Sequence, residues 1–307
     1  MKKNVSIAIL IISIITFFMT ATVFAKDEVT SDYDTILKQD ILTLMMAYPE
    51  YIKGVEKAEG GSVYIITVSG KKILYDDKIK KDFNQKMDNA DLQDVLEEAY
   101  PLSMPEKLTE LESDPGRFRC YGLLNEVYGK NESEVSSNLV MVPAPYNGYQ
   151  FNKKNGAAES LKTAMAELKE IAKTNSKVAA LISPVNGTFN YRVISGTGKL
   201  SPHAYGIAID ISSNPSDYWK WATREAGEKR MMSYPKELVE TFESHNFVWG
   251  GKWGHFDILH FEYRPEIIIK AKYFSDDLDS SKEWFGSVER TEEVNRYIEL
   301  IENSLGV

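Results

Sequence analysis

Histidine is scarce in this 307-residue chain, and three of its four copies sit in two stretches unlike the rest. The first stretch is Leu200-Ser-Pro-His203-Ala-Tyr-Gly206-Ile-Ala-Ile-Asp210-Ile-Ser. From Gly206 it alternates like a strand, with Ile207, Ile209 and Ile211 facing one way and Ala208, Asp210 and Ser212 the other. One face is core. The other is small and polar and presents a carboxylate, with His203 just ahead of it and Gly206 permitting close backbone approach. The second stretch, Trp249-Gly-Gly-Lys-Trp253-Gly-His255-Phe-Asp257-Ile-Leu-His260-Phe-Glu262-Tyr, is dense in aromatics and glycine. It places a carboxylate three residues before a histidine.

These residue types suit zinc. A catalytic zinc takes three protein ligands from histidine and carboxylate and keeps a fourth position for water. His203, Asp210 and His260 would supply two neutral nitrogens and one negative oxygen, leaving the ion a net positive charge. That charge lowers the pKa of bound water from roughly 15.7 toward about 7 and polarises a carbonyl oxygen. Hydrolysis also needs a carboxylate near the water, as general base and then as acid to the leaving amine; Asp257 is the candidate. On an ideal strand, positions i and i+3 face opposite ways. Asp257 and His260 therefore share one site only if the backbone bulges or turns between them. Taken alone, these fragments support a metal hydrolase and nothing narrower.

Together they resemble a known family. Ser201-x-His203-x-x-Gly206-x-Ala208-x-Asp210, followed some fifty residues later by Asp257-x-x-His260, closely resembles the signature of one zinc peptidase family. Its members are the D-alanyl-D-alanine carboxypeptidases (VanY-like) and L-alanyl-D-glutamate endopeptidases of bacterial and phage cell-wall metabolism. Gly196-Thr-Gly-Lys-Leu-Ser-Pro-His-Ala-Tyr-Gly and Trp249-Gly-Gly-Lys-Trp253 look most like the endopeptidase branch. The resemblance spans roughly residues 110–270. It implies one Zn2+ per chain on His203, Asp210 and His260, with Asp257 as catalytic acid/base. It also implies that Arg192 orients the substrate or the polarised carbonyl.

Ser201, Tyr205, Trp249, Trp253 and His255 are further candidates for substrate contact. Tyr218, Trp219 and Trp221 could wall the same groove or simply pack. Glu262 shares strand parity with His260 and could hold its imidazole. The implied fold is a compact α+β zinc-peptidase domain with a small antiparallel sheet flanked by helices. The implied substrate is a peptidoglycan stem peptide, cut at L-Ala–D-Glu, with D-alanyl-D-alanine carboxypeptidase action as the alternative. An alternative of another class is a non-catalytic zinc-containing wall-binding or signalling protein on the same scaffold, as hedgehog signalling domains are. An intact acid/base position separates the two, and Asp257 is present.

Other elements must position these groups. Met1-Lys2-Lys3, an apolar run from Ile7 to Met19, and Val23-Phe24-Ala25 have the form of an export signal cut after Ala25. Uncut, the uncharged stretch from Asn4 to Ala25 is long enough to anchor the chain in a bilayer. Either way the rest is exported: extracellular, in the cell wall or periplasmic. Residues 26–105 read as a small accessory α/β-hairpin subdomain. They show helix-like spacing over 34–53, β-rich runs around Ser69-Gly70-Lys71, and a helix near Ala90–Tyr100. They hold no cluster of catalytic types, and a targeting or inhibitory module fits them. Asp114-Pro115-Gly116 marks a turn and boundary. Residues 106–275 make up the peptidase domain, with amphipathic helices over 160–174 and from Pro235. Residues 276–307 end in a helix that Thr291 can cap.

Composition sets the outer bounds. The formal charge is −9, and −11 once Lys2 and Lys3 leave with the signal. That balance excludes broad nucleic-acid binding, which needs a basic surface. One cysteine excludes a disulfide framework and any Cys-rich metal site; Cys120 reads as a small buried hydrophobe. Membrane contact is expected only through an uncut N-terminal segment.

Overall fold

Helix α1 (residues 32–47) exposes Asp32 and Asp34 at its start but buries Leu37, Ile41, Leu42, Leu44, Met45 and Ala47, so its second half lies inside the core. The computed structural model describes residues 32–143, 148–274 and 283–306, and the expected export signal lies outside the described residues. After α1 comes a three-stranded antiparallel sheet of β1 (Ile52–Lys57), β2 (Val63–Thr67) and β3 (Lys72–Leu74). The helix expected over 34–53 stops early, because Ile52 and Lys53 already pair in β1. β2 and β3 form the expected hairpin.

The helix expected near Ala90–Tyr100 is the shorter α3 (Leu92–Leu96), and another short helix, α2 (Phe83–Asn89), precedes it. Asp82 caps α2. Asp91, with extended backbone, caps α3. Next come α4 (Tyr121–Tyr128), α5 (Glu132–Ser137), and an antiparallel pair, β4 (Leu139–Pro143) with β5 (Gly148–Asn152). Cys120, half-buried, immediately precedes α4. The long amphipathic helix α6 (Ala157–Ala172) and α7 (Ser176–Leu181) lead to β6 (Ala208–Asp210). Then follow α8 (Arg224–Met232), α9 (Lys236–Ser244), β7 (Phe247–Trp249), β8 (His260–Tyr263), α10 (Pro265–Tyr273) and α11 (Glu292–Leu305). Thr291 caps α11, its hydroxyl accepting from Val294 N at 3.2 Å. The third sheet runs β6-β8-β7, all antiparallel, so the fold is α+β.

One apolar core extends from Leu37 to Leu305. Phe261, fully buried on β8, stacks on Phe242 of α9 with ring centroids 4.1 Å apart. Truncating such a ring to Ala costs about 3–5 kcal/mol. The N-terminal region is built into this core. Tyr48 Oη, just past α1, donates to Glu266 Oε2 at 2.7 Å, and Asp40 of α1 pairs with Lys270 at 2.6 Å; Glu266 and Lys270 both lie on α10. Helix α11 packs on β1, and Lys57 Nζ donates to Leu305 O at 3.2 Å. No helix among the described residues is long and apolar enough to cross a membrane.

Candidate metal centre and cleft

Strand register assembles half of the site. Asp210 on β6 lies directly opposite His260 on β8, and Ala208 lies opposite Glu262. Opposed residues share a face, so Asp210, His260 and Glu262 line one side while Ile209 and Phe261 enter the core on the other. His203 arrives from a 3-10 turn, Pro202–Tyr205, whose first amide is held by Ser201: His203 N donates to Ser201 Oγ at 3.3 Å. The turn ends at Gly206 with φ +66°, where an added Cβ would lie 2.7 Å from Leu139 Cδ2. Only glycine combines that conformation with that clearance.

Ligand-type atoms of His203, Asp210 and His260 lie within 4.8 Å of one another, a group able to hold a metal ion. His203 Nδ1–H donates to Thr188 O at 2.5 Å, which leaves Nε2 facing Asp210 Oδ1 at 3.2 Å. His260 turns Nδ1 toward the same oxygen at 2.9 Å, and its Nε2 lies 3.7 Å from Glu262 Oε2. Glu262 is fully buried and gripped by Arg119 through both Nε (2.9 Å) and Nη2 (2.5 Å). Burial disfavours the His260 cation, yet the Asp210 and Glu262 carboxylates overcome this and push it up to about 10. Asp210 moves the other way: the two imidazoles hold its carboxyl well below the usual range despite burial. The pair is a negatively biased pocket that a cation would satisfy. Two imidazole nitrogens, each oriented by an outer partner, and one carboxylate oxygen fit zinc chemistry.

The backbone turns where sharing required it. His260 N donates to Asp257 O at 3.0 Å, closing a tight turn through Ile258 and Leu259. Asp257 N in turn donates to Gly250 O at 2.9 Å, and a Cβ on Gly250 would come within 2.4 Å of Asp257 O. The glycines of Trp249-Gly-Gly-Lys-Trp253 thus let two chain segments touch. Burial, reinforced by the Asp210 charge, raises Asp257 to about 6, with His260, Arg117 and His203 opposing. A carboxylate tuned near neutrality suits proton transfer.

A cleft of about 510 Å³ opens over this centre. Of the residues expected to contact substrate, Arg192, Ser201, Trp253, Tyr218 and Trp221 line it. The loop from Arg192 to Ser201 folds back on itself, with Ser201 N donating to Arg192 O at 3.0 Å and Ile194 N to Lys199 O at 2.7 Å. That fold carries Arg192 to the rim. Tyr205, Trp249 and His255 lie elsewhere. Tyr205 is buried and donates to Asn125 Oδ1 at 2.7 Å. Trp249 is a core residue whose Nε1 donates to Ile258 O at 2.7 Å. His255 is clamped by Asp114, through N at 2.8 Å and Nδ1 at 3.0 Å, and stacks on Phe83. Packing and hydrogen bonds consume all three.

The turn at Asp114-Pro115-Gly116 is therefore a junction. Asp114, fully buried, ties it to the loop that carries Asp257, and Arg264 donates to Gly116 O and Phe118 O at 2.9 and 2.8 Å. Arg117 and Arg119, which sequence reasoning passed over, line the cleft while Phe118 between them is buried. Their period of two was the available signal. The N-terminal region also reaches the cleft, through Met87 of α2.

Residues 195–263 match the family model described as D-alanyl-D-alanine carboxypeptidase. The match supports a peptidase of that family, acting on peptidoglycan. The matched segment contains His203, Asp210, Asp257 and His260, but neither Arg192 nor Arg117 and Arg119. No curated protein and no solved structure matches the chain.

Proposed function

We propose that the chain is an exported zinc-dependent peptidase that hydrolyses stem peptides of peptidoglycan between L-Ala and D-Glu. One observation carries this proposal: His203, Asp210 and His260 converge at the floor of a cleft that also holds Asp257. Zinc, when held by those three residues, supplies Lewis acidity toward a carbonyl oxygen and acidifies a water molecule. Thr188 O and Glu262 keep the two imidazoles turned for that task. Asp257, ionised at neutral pH with its pKa near 6, takes a proton from the attacking water and delivers it to the leaving amine. Arg192 on the rim balances negative charge that develops on the substrate. The sequence Met1–Ala25 supports export.

The family description favours a second reading within the class, D-alanyl-D-alanine carboxypeptidase. Digesting purified muropeptides with zinc-loaded protein and weighing the fragments separates the two. The proposal expects a cut after L-Ala. Release of single D-Ala would sink the endopeptidase assignment, and no product at all would leave a non-catalytic wall-binding protein.

A further inference from the structure

The cleft carries a charge pattern opposite to that of the chain. The protein as a whole has a formal charge of −9, yet Arg117, Arg119, Arg192 and Lys220 all line the cleft. Among the described residues, its only lining carboxylates are Asp210 and Asp257, at the metal end. Two of the four cations are already committed, Arg117 to Asp114 at 2.6 Å and Arg119 to Glu262 at 2.5 Å. Arg192 and Lys220 pair with no carboxylate among the described residues, and both are exposed.

Lys220 is also well placed. Tyr218 pairs with Asp257 as an isolated β-bridge, and Trp219 N donates to Phe256 O at 3.0 Å. The Trp219 ring is wedged against His255, centroids 4.6 Å apart, and Lys220 Nζ lies 5.2 Å from its centre. Lys220 thus follows directly on the two residues that brace the Asp257 loop, and it lines the same cleft as Asp257. An acidic protein that gathers unpaired cations at one cleft is complementary to an anionic ligand.

We propose that Lys220, together with Arg192, forms a subsite for a carboxylate on the residue whose amine leaves. This deepens the peptidase assignment and rests on it. Both candidate substrates share that chemistry: the α-carboxylate of D-Glu after L-Ala, and the terminal carboxylate of D-Ala–D-Ala, each sit on the carbon bearing the scissile nitrogen. The subsite therefore selects the free acid over the carboxamide in whichever peptide is cut.

Two pairs of synthetic peptides test this with the full zinc-loaded chain. One pair carries L-Ala–D-Glu with the α-position as acid or amide; the other ends in D-Ala–D-Ala as acid or amide. The wild type should cleave one acid about tenfold more efficiently than its amide. Lys220→Met should bring that ratio to within about twofold through KM, and added salt should erode the wild-type ratio, because exposed charges are screened. The pair whose ratio collapses identifies the source of the carboxylate. A ratio untouched by Lys220→Met in both pairs, or equal losses on acid and amide, overturns the subsite. Should the wild type cut neither pair, calorimetric titration of the same peptides separates the two failures. Acid-selective binding that disappears in Lys220→Met keeps the subsite while the peptidase assignment falls. Absence of acid selectivity in binding removes the subsite.

Discussion

Two groups of side chains in this protein bring three possible ligand atoms within 4.8 Å of one another: His203, Asp210 and His260, and also Asp76, Asp77 and Asp91. By distance alone they are equivalent. Their surroundings are not. In the all-carboxylate group Lys81 reaches in, with Nζ 2.8 Å from Asp77, 2.9 Å from Asp91 and 2.6 Å from the adjacent Asp94. Those carboxylates raise its pKa although burial works against its charge. The group has its cation built in. In the histidine group no lysine or arginine among the described residues pairs with the converging atoms; Arg119 is spent on Glu262 behind the ring. There a proton on His260 does what a metal ion would do better. A cluster of donors becomes a metal centre when its counter-charge is missing and its outer bonds turn the donors inward.

Each side of that contrast can be broken. The largest effect on hydrolysis belongs to the ligands: His203→Ala or Asp210→Ala should abolish peptide cleavage, measured as fragments by mass spectrometry. Asp257→Ala should retain the metal and lower kcat by roughly 10²–10⁴-fold; cleavage at the wild-type rate would remove Asp257 from the mechanism. Glu262→Gln weakens the hold on His260, and competition with a chelator should register a zinc affinity lower by about 10–100-fold. The pH profile gives a smaller effect. Asp257 acts as base only when ionised, so kcat/KM should be full above its pKa and fall as pH drops through it, by at most about tenfold between pH 7 and pH 5. The value near 6 is an upper limit for this acid limb, because a bound cation lowers it further. Lys81→Met should change neither metal content nor kcat/KM, while exposing three unpaired carboxylates and costing about 3–5 kcal/mol in a denaturant titration.

What could be read from the sequence follows the same division between local and distant. The alternation around Asp210, the hairpin at Gly70 and the Thr291 cap are set by neighbours within a few positions, and the structure contains all three. The His-Asp and Asp-His spacings were legible because each fits within one turn-and-strand unit. The bend between Asp257 and His260 was not, since it depends on Gly250 admitting a distant backbone. Tyr205, Trp249 and His255 stand in the right motifs but face inward, and only packing decides which side of a loop meets solvent. The supports were hidden by distance: Arg119 and Glu262 are 143 residues apart, as are Tyr100 and its partner Glu243. Residues 26–105 read as an accessory because they lack catalytic types. Their apolar side chains nevertheless pack into the same core as the rest of the described residues, through contacts between positions far apart in sequence.

The central claim is that His203, Asp210 and His260 form the protein's one metal centre. Elemental analysis of chelated and zinc-reloaded protein tests it most directly, with the wild type, His203→Ala and Lys81→Met measured together. The account predicts one zinc per chain in the wild type and in Lys81→Met, and none in His203→Ala. A full equivalent of zinc retained by His203→Ala, or lost from Lys81→Met, would contradict it.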